Sequence, residues 1–274
     1  MKRYVSILLV LGFMGLCFPV PSGAQSRFAF KFTGGPNILD GGDLNAGAKG
    51  LFDYYAAQAR SQGAAVGGSF SPAKLGPNLG LELIYRITDK IGLGLGFEML
   101  SASKDMEQKI SSGSSSVGYT HSVKASAVPL RLSVYYFLPA SPRLNVFLKA
   151  GLGYYLASVF YSDNHEGGRL PFEIDASGSG LGFHGGLGLE ISLSRKLGIV
   201  AECSGRFASF DGFTGTMVMR SGTLWTLDME QPFGTFPVLF VESGEPSYSW
   251  FVNIRESKIS ITGFSFVVGA IVRI

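Results

Sequence analysis

An eight-stranded antiparallel β-barrel that crosses a membrane is predicted by three observations. Apolar residues recur at every second position in eight separate stretches. The connections between these stretches alternate between tight turns and long loops. The 38 glycines, 46% hydrophobic residues and only 16% charged residues leave little polar surface for a water-soluble sheet. Successive side chains of a strand point to opposite faces, so strict alternation marks one apolar face and one different face.

Residues 1–24 precede the first strand. Met1-Lys2-Arg3 is positive, Tyr4 to Val20 is almost wholly apolar, and Pro21-Ser22-Gly23-Ala24 ends in a small-x-small pattern. This is the layout of a secretory signal peptide cleaved after Ala24, leaving one domain over 25–274. Leu16 before Cys17 does not fit a lipoprotein signal. Removal of Cys17 leaves Cys203 alone, which excludes an intrachain disulfide. No later apolar run reaches the ~18–20 residues of a membrane helix, and a net charge of +3 gives no footprint for nucleic acid.

The first strand sets Phe28, Phe30 and Phe32 against Ala29, Lys31 and Thr33. The second sets Leu79, Leu81, Leu83 and Tyr85 against Gly80, Glu82, Ile84 and Arg86. In the third, IGLGLGFEM, Ile91, Leu93, Leu95, Phe97 and Met99 face Gly92, Gly94, Gly96 and Glu98 across the chain. The fourth runs from Val128 to Tyr136 with Arg131 inside, and the fifth from Val146 to Tyr155 with Lys149 inside. The sixth spans Leu187 to Leu193 with Glu190, the seventh Leu197 to Phe207 with Glu202 and Arg206, and the eighth Phe264 to Ile274 with Arg273.

Thr88-Asp89-Lys90, Pro139-Ala140-Ser141-Pro142 and Ser194-Arg195-Lys196 are the tight turns. The long loops run 35–74, 102–121, 162–180 and 211–258. Short periplasmic turns and long extracellular loops are the pattern of a transmembrane barrel, and closure removes the edges that lipid would not tolerate. Leu44 to Gln62 is rich in Ala, Leu and Tyr and fits a short helix capping the barrel mouth. Residues 216–219 and 224–227 flank Arg220-Ser221-Gly222 as a hairpin that extends the wall. A ten-stranded barrel is the less favoured count, because 214–219 is short for the ~9–11 residues of a spanning strand.

The alternation places Lys31, Glu82, Arg86, Glu98, Arg131, Lys149, Glu190, Glu202, Arg206 and Arg273 on the lumen face. Four acids and six bases can pair there, and an eight-stranded barrel is just wide enough for side chains to fill. A charged network that plugs the lumen is therefore expected. Tyr85, Phe97, Tyr135, Tyr136, Phe137, Tyr154, Tyr155, Phe160 and Tyr161 lie near strand ends, where aromatic girdles form.

The chain carries no Walker lysine motif, HExxH or GxSxG. Gly180-Leu181-Gly182-Phe183-His184-Gly185 matches GxGxxG but opens a strand, which offers no helix N-terminus to a phosphate. Asp163-Asn164-His165-Glu166 reads as a solvated loop rather than a metal site. His121 and Ser122 are adjacent and so face opposite sides of a strand. No enzyme activity, cofactor or metal is expected.

Together these features resemble the bacterial outer-membrane β-barrel proteins of the OmpA/OmpX/OmpW-like type, from Arg27 to Ile274. The final strand GFSFVVGAIVRI looks like the C-terminal signal read by the barrel-assembly machinery, although Ile274 stands where an aromatic residue is usual. The resemblance implies residence in the outer membrane and partnership with its lipid, as a monomer. A structural or surface-interaction barrel is the favoured function. A narrow channel for small solutes is the first alternative, and a lipid-modifying enzyme the second.

Overall fold

The computed structural model describes residues 27–141, 143–166 and 172–274. The signal peptide read at 1–24 lies outside the described residues. Eight strands form the wall: β1 (Phe28–Leu39), β2 (Leu75–Arg86), β3 (Ile91–Ser112), β4 (Ser115–Pro139), β5 (Leu144–His165), β6 (Phe172–Ser192), β7 (Leu197–Phe207) and β8 (Gly263–Arg273). Each pairs antiparallel with its sequence neighbour. The ring closes where β1 meets β8, with Ala29 opposite Arg273, Phe32 opposite Ala270 and Ile38 opposite Phe264.

One helix, α1 (Asp43–Ser61), interrupts the first long loop. Its buried face carries Leu44, Gly47, Ala48, Gly50, Phe52, Ala56 and Ala59. Gly47 and Gly50 let it lie against Leu239 and the Pro237 carbonyl, where a Cβ would clash.

The outward side chains show where the membrane ends. Along β3 they read Ile91, Leu93, Leu95, Phe97, Met99, then Ser101, Ser103, Asp105, Glu107, Lys109. Along β6, from the other direction, they read Glu173, Asp175, Ser177, Ser179, then Leu181, Phe183, Gly185, Leu187, Leu189 and Ile191. Apolar residues make a belt that lipid can cover, and polar residues face water above it. Leu95, Leu132, Leu152, Leu189, Phe266 and Val268 are 45–66% exposed and fall on this belt.

Three expectations need correction. The loop expected over 102–121 is almost entirely strand: β3 and β4 run on to a turn at Gly113-Ser114. The same holds for 162–165 and 172–180, so Asp163-Asn164-His165 is strand, not loop. Above the membrane the outer face turns polar, so the apolar alternation that betrays a strand in lipid disappears while the backbone ladder continues. The hairpin in the last loop turns at Val218-Met219, with Met217 opposite Arg220, rather than at Arg220-Ser221-Gly222. Its first strand, Thr214–Met217, pairs with Ile174 to Ser177 of β6 above the end of β7. The hairpin thus widens the upper wall and adds no membrane crossing.

Candidate functional site: the barrel lumen

The inward positions alternate with the belt and form a filled interior of stacked layers. At the short-turn end Glu190 of β6 takes Arg86 Nη2 at 3.2 Å and also binds Arg273 Nη2. The Arg86 guanidinium lies 4.1 Å from the centre of the Phe137 ring. Above it sits an apolar layer of Ala29, Ile84, Tyr135, Phe137, Phe147, Val200 and Ile271.

The central layer is a cluster of charges with 0–5% of each residue exposed. Lys31 Nζ of β1 lies 2.7 Å from Glu82 Oε2, 2.8 Å from Glu202 Oε2 and 2.6 Å from Tyr135 Oη. Tyr135 donates its hydroxyl to Glu82 Oε2 at 2.6 Å. Lys149 Nζ meets Glu202 Oε1 at 2.5 Å, out of line for a hydrogen bond. Arg131 Nη1 binds Glu98 Oε1 at 2.7 Å, and its Nη2 lies 3.8 Å from Glu82. His184 Nε2 and Ser133 Oγ are 3.0 Å apart beside them. Taking charges out of water is costly, and mutual pairing at this range is what offsets the cost.

Glycine makes this crowding feasible. A Cβ on Gly94 would press on the Glu82 carboxylate and the Tyr135 ring, and one on Gly188 would enter the Phe147 ring. The bare positions of β3 and β6 are the room that long side chains from β2, β4 and β5 occupy.

Arg206 forms the upper charged layer without a carboxylate. It donates to Ile261 O (3.1 Å), Ser265 Oγ (2.6 Å), Asn37 Oδ1 (3.1 Å) and Ile38 O (3.2 Å). Of the ten lumen residues expected from sequence, nine join carboxylate pairs and Arg206 binds neutral acceptors. The lumen set expected from sequence was confined to charged residues and left out Tyr135, Ser133 and His184. All three share parity with charged inward residues on their own strands, Tyr135 and Ser133 with Arg131 and His184 with Glu190, so the signal was present. The aromatic residues divide by the same parity. Tyr136 and Tyr154 are 43% and 45% exposed on the outer face, whereas Tyr135, Phe137, Tyr155 and Tyr161 are at most 2% exposed and point inward.

Beyond Arg206 the interior becomes apolar, with Leu100, Ala102, Ala125, Ala127, Ala157, Val159, Ile174 and Ala176 all buried. A cavity of about 160 Å³ lies between α1 (Leu51, Tyr54), the wall (Tyr161, Phe172) and the last-loop segments (Leu239, Phe240). Next to it, Gln108 Nε2 holds Phe52 O of α1 at 2.9 Å, and His121 lies 3.2 Å from both Gln108 Oε1 and Tyr161 Oη. Burial pushes the His121 imidazole down to about 4, so it is neutral at pH 7. The Asp163 carboxyl, 3.6 Å from His121, is raised by burial against the opposing hydrogen bond from Tyr55. At the start of α1, Asp43 accepts from Arg255 (2.5 and 2.8 Å) and from Lys258 N (2.6 Å). Burial pushes its carboxyl up, and these hydrogen bonds and the Arg255 charge outweigh it, leaving it below its usual range.

No curated protein matches the sequence. Two solved structures are similar in outline. The outer membrane protein OprG from Pseudomonas aeruginosa has a TM-score of 0.42 and 10% identity, over 92% of this chain and 98% of that one. The outer membrane protein AlkL in DMPC lipid bilayers has a TM-score of 0.31 and 14% identity, over 94% and 95%. The family model for the outer membrane protein beta-barrel domain matches residues 9–218, and the chain, an eight-stranded antiparallel ring with an apolar belt, belongs to that family of outer-membrane barrels.

Proposed function

We propose that the chain is a closed outer-membrane barrel with a structural or surface-interaction role, and that its extracellular cap carries that role. The observation that supports this reading is the central charged layer. Lys31, Glu82, Tyr135, Lys149 and Glu202 come from five different strands and meet within hydrogen-bonding or ion-pairing distance across the lumen. An aqueous channel needs its lining charges to be hydrated, and here they bind one another. The reading assigns no catalytic step to the chain. Liposome swelling tests it. Vesicles carrying the protein should shrink in hyperosmotic sucrose or glycine and stay shrunken, as protein-free vesicles do. Rapid reswelling in glycine would contradict a closed lumen.

The second reading, passage of small solutes, is favoured by one feature, the apolar cavity beneath α1. Its size and lining suit a small hydrocarbon-like solute rather than an ion. Saturable uptake of such a solute by cells making the protein, lost in Leu51→Trp, would promote this reading over the first.

A further inference from the structure

The two ends of the barrel differ in charge. On the extracellular shoulder of the wall both signs are exposed, Asp105, Glu107, Glu173 and Asp175 beside Lys104, Lys109 and Lys124. At the periplasmic end, Arg27, Lys90, Arg143, Arg195 and Lys196 are all exposed, and Asp89 is the one acidic side chain in the turns there. None of the five cations is held in an ion pair among the described residues. Just inside the mouth, Arg86 and Arg273 share the single carboxylate of Glu190, which leaves a further positive charge there.

The backbone fixes these cations at one level. Arg27 O accepts from Arg86 N, Lys90 O from Phe137 N, Arg143 O from Ser192 N and Lys196 O from Arg273 N, at 2.7–2.8 Å. Each bond ties a turn to the neighbouring strand end, so the cations are spread around the ring instead of gathered on one side. Directly above them run Phe28, Ile87, Ile91, Leu138, Leu193 and Leu197, all 41–58% exposed. Arg195 and Lys196 lie in the tight turn between Leu193 and Leu197, immediately beyond this apolar edge. The headgroup layer adds roughly 5–8 Å to each side of the hydrocarbon core, and turn residues at the edge of the belt fall within it.

We propose that this rim recruits anionic phospholipid of the periplasmic leaflet, each lipid laying its acyl chains on the apolar belt and its phosphate against a rim cation. Placement of cations at the edge of a hydrocarbon belt, around the whole circumference, fits a diacyl lipid. A soluble acidic protein would need a contiguous patch. Each cation near an anionic surface raises affinity about fivefold.

The test uses the full mature chain, reconstituted in bilayer discs of phosphatidylcholine and phosphatidylglycerol at 4:1, with retained lipid counted by native mass spectrometry. Wild type should retain phosphatidylglycerol above its bulk share. In Arg143→Gln/Arg195→Gln/Lys196→Gln the enrichment over the bulk share should fall by at least half, with heat-modifiable mobility on gels unchanged. Lys104→Gln/Lys124→Gln, at the opposite shoulder, should leave it intact. Retention of the two lipids by wild type in their 4:1 bulk ratio, or enrichment undiminished in the triple variant, would overturn the proposal. Loss of polyglutamate binding in the triple variant with phosphatidylglycerol retention unchanged would likewise overturn it and assign the rim to a soluble polyanion.

Discussion

Glu202 is the residue on which the lumen turns, because two ammonium groups converge on it. Lys31 reaches Oε2 and Lys149 reaches Oε1, at 2.8 and 2.5 Å. Glu202→Ala removes the counter-charge of both, leaving Lys31 with Glu82 and Lys149 with a carboxylate 3.9 Å away. Breaking a buried pair by deleting one partner costs about 3–5 kcal/mol. The expected result is a clearly lower urea midpoint in detergent, and a midpoint within error of wild type would show that the pairs are not coupled to folding. Gly94→Leu tests the same layer through volume. Its side chain would meet Glu82 and Tyr135, so assembly yield should drop even though leucine is a good strand residue in lipid. Much of this layer was legible in the sequence. Parity put the charged residues on one face, and Gly94 opposite them announced the space. The partners were not legible, because pairing across the lumen depends on the stagger of strands far apart in sequence. Lys31 and Glu202 are an example, 171 residues apart.

At the scale of elements, the strands in lipid wrote themselves into the sequence and those above it did not. Leu95 and Leu189 lie on the belt at 64% and 45% exposure. Arginine at either position would cost roughly 2–4 kcal/mol at mid-bilayer. Leu95→Arg and Leu189→Arg should therefore both impair heat-modifiable folding, whereas Ser103→Arg, on the same face of β3 above the belt, should fold normally. Equal tolerance at all three positions would contradict the assigned boundary. The upper half of β3 escaped detection for that reason: Ser101, Ser103, Asp105 and Glu107 face water, and their alternation with Ala102, Met106 and Gln108 resembles a polar loop. Helix α1 offers a pH test. Asp43 has a lowered carboxyl, so its contribution is fully present above the ordinary aspartate range near 3.8 and is lost as pH falls through the lower folded value. Amide exchange of α1, corrected for intrinsic rate, should speed up below about pH 4 relative to β5, and Asp43→Asn should exchange fast at pH 7 as well. Exchange of α1 indifferent to both changes would mean that the Arg255 and Lys258 contacts do not anchor it.

The whole molecule is a ring with two unlike chambers. The lower one is packed with paired charge inside a lipid belt, and the upper one is apolar inside a polar wall, roofed by α1 and the last loop. Three tight turns at one end and long excursions at the other set the orientation. A cysteine placed at Ser114 in a Cys203→Ala background should react with an impermeant maleimide on intact cells, and one placed at Asp89 should not. The reverse pattern would invert the barrel. Closure of the lower chamber is measured directly by single-channel recording in a planar bilayer. The wild-type protein is predicted to insert without conductance steps at moderate voltage, and Glu202→Ala, where it folds, to open small ones. Stable, voltage-independent steps from the wild type would contradict the closed lumen and make the barrel a channel.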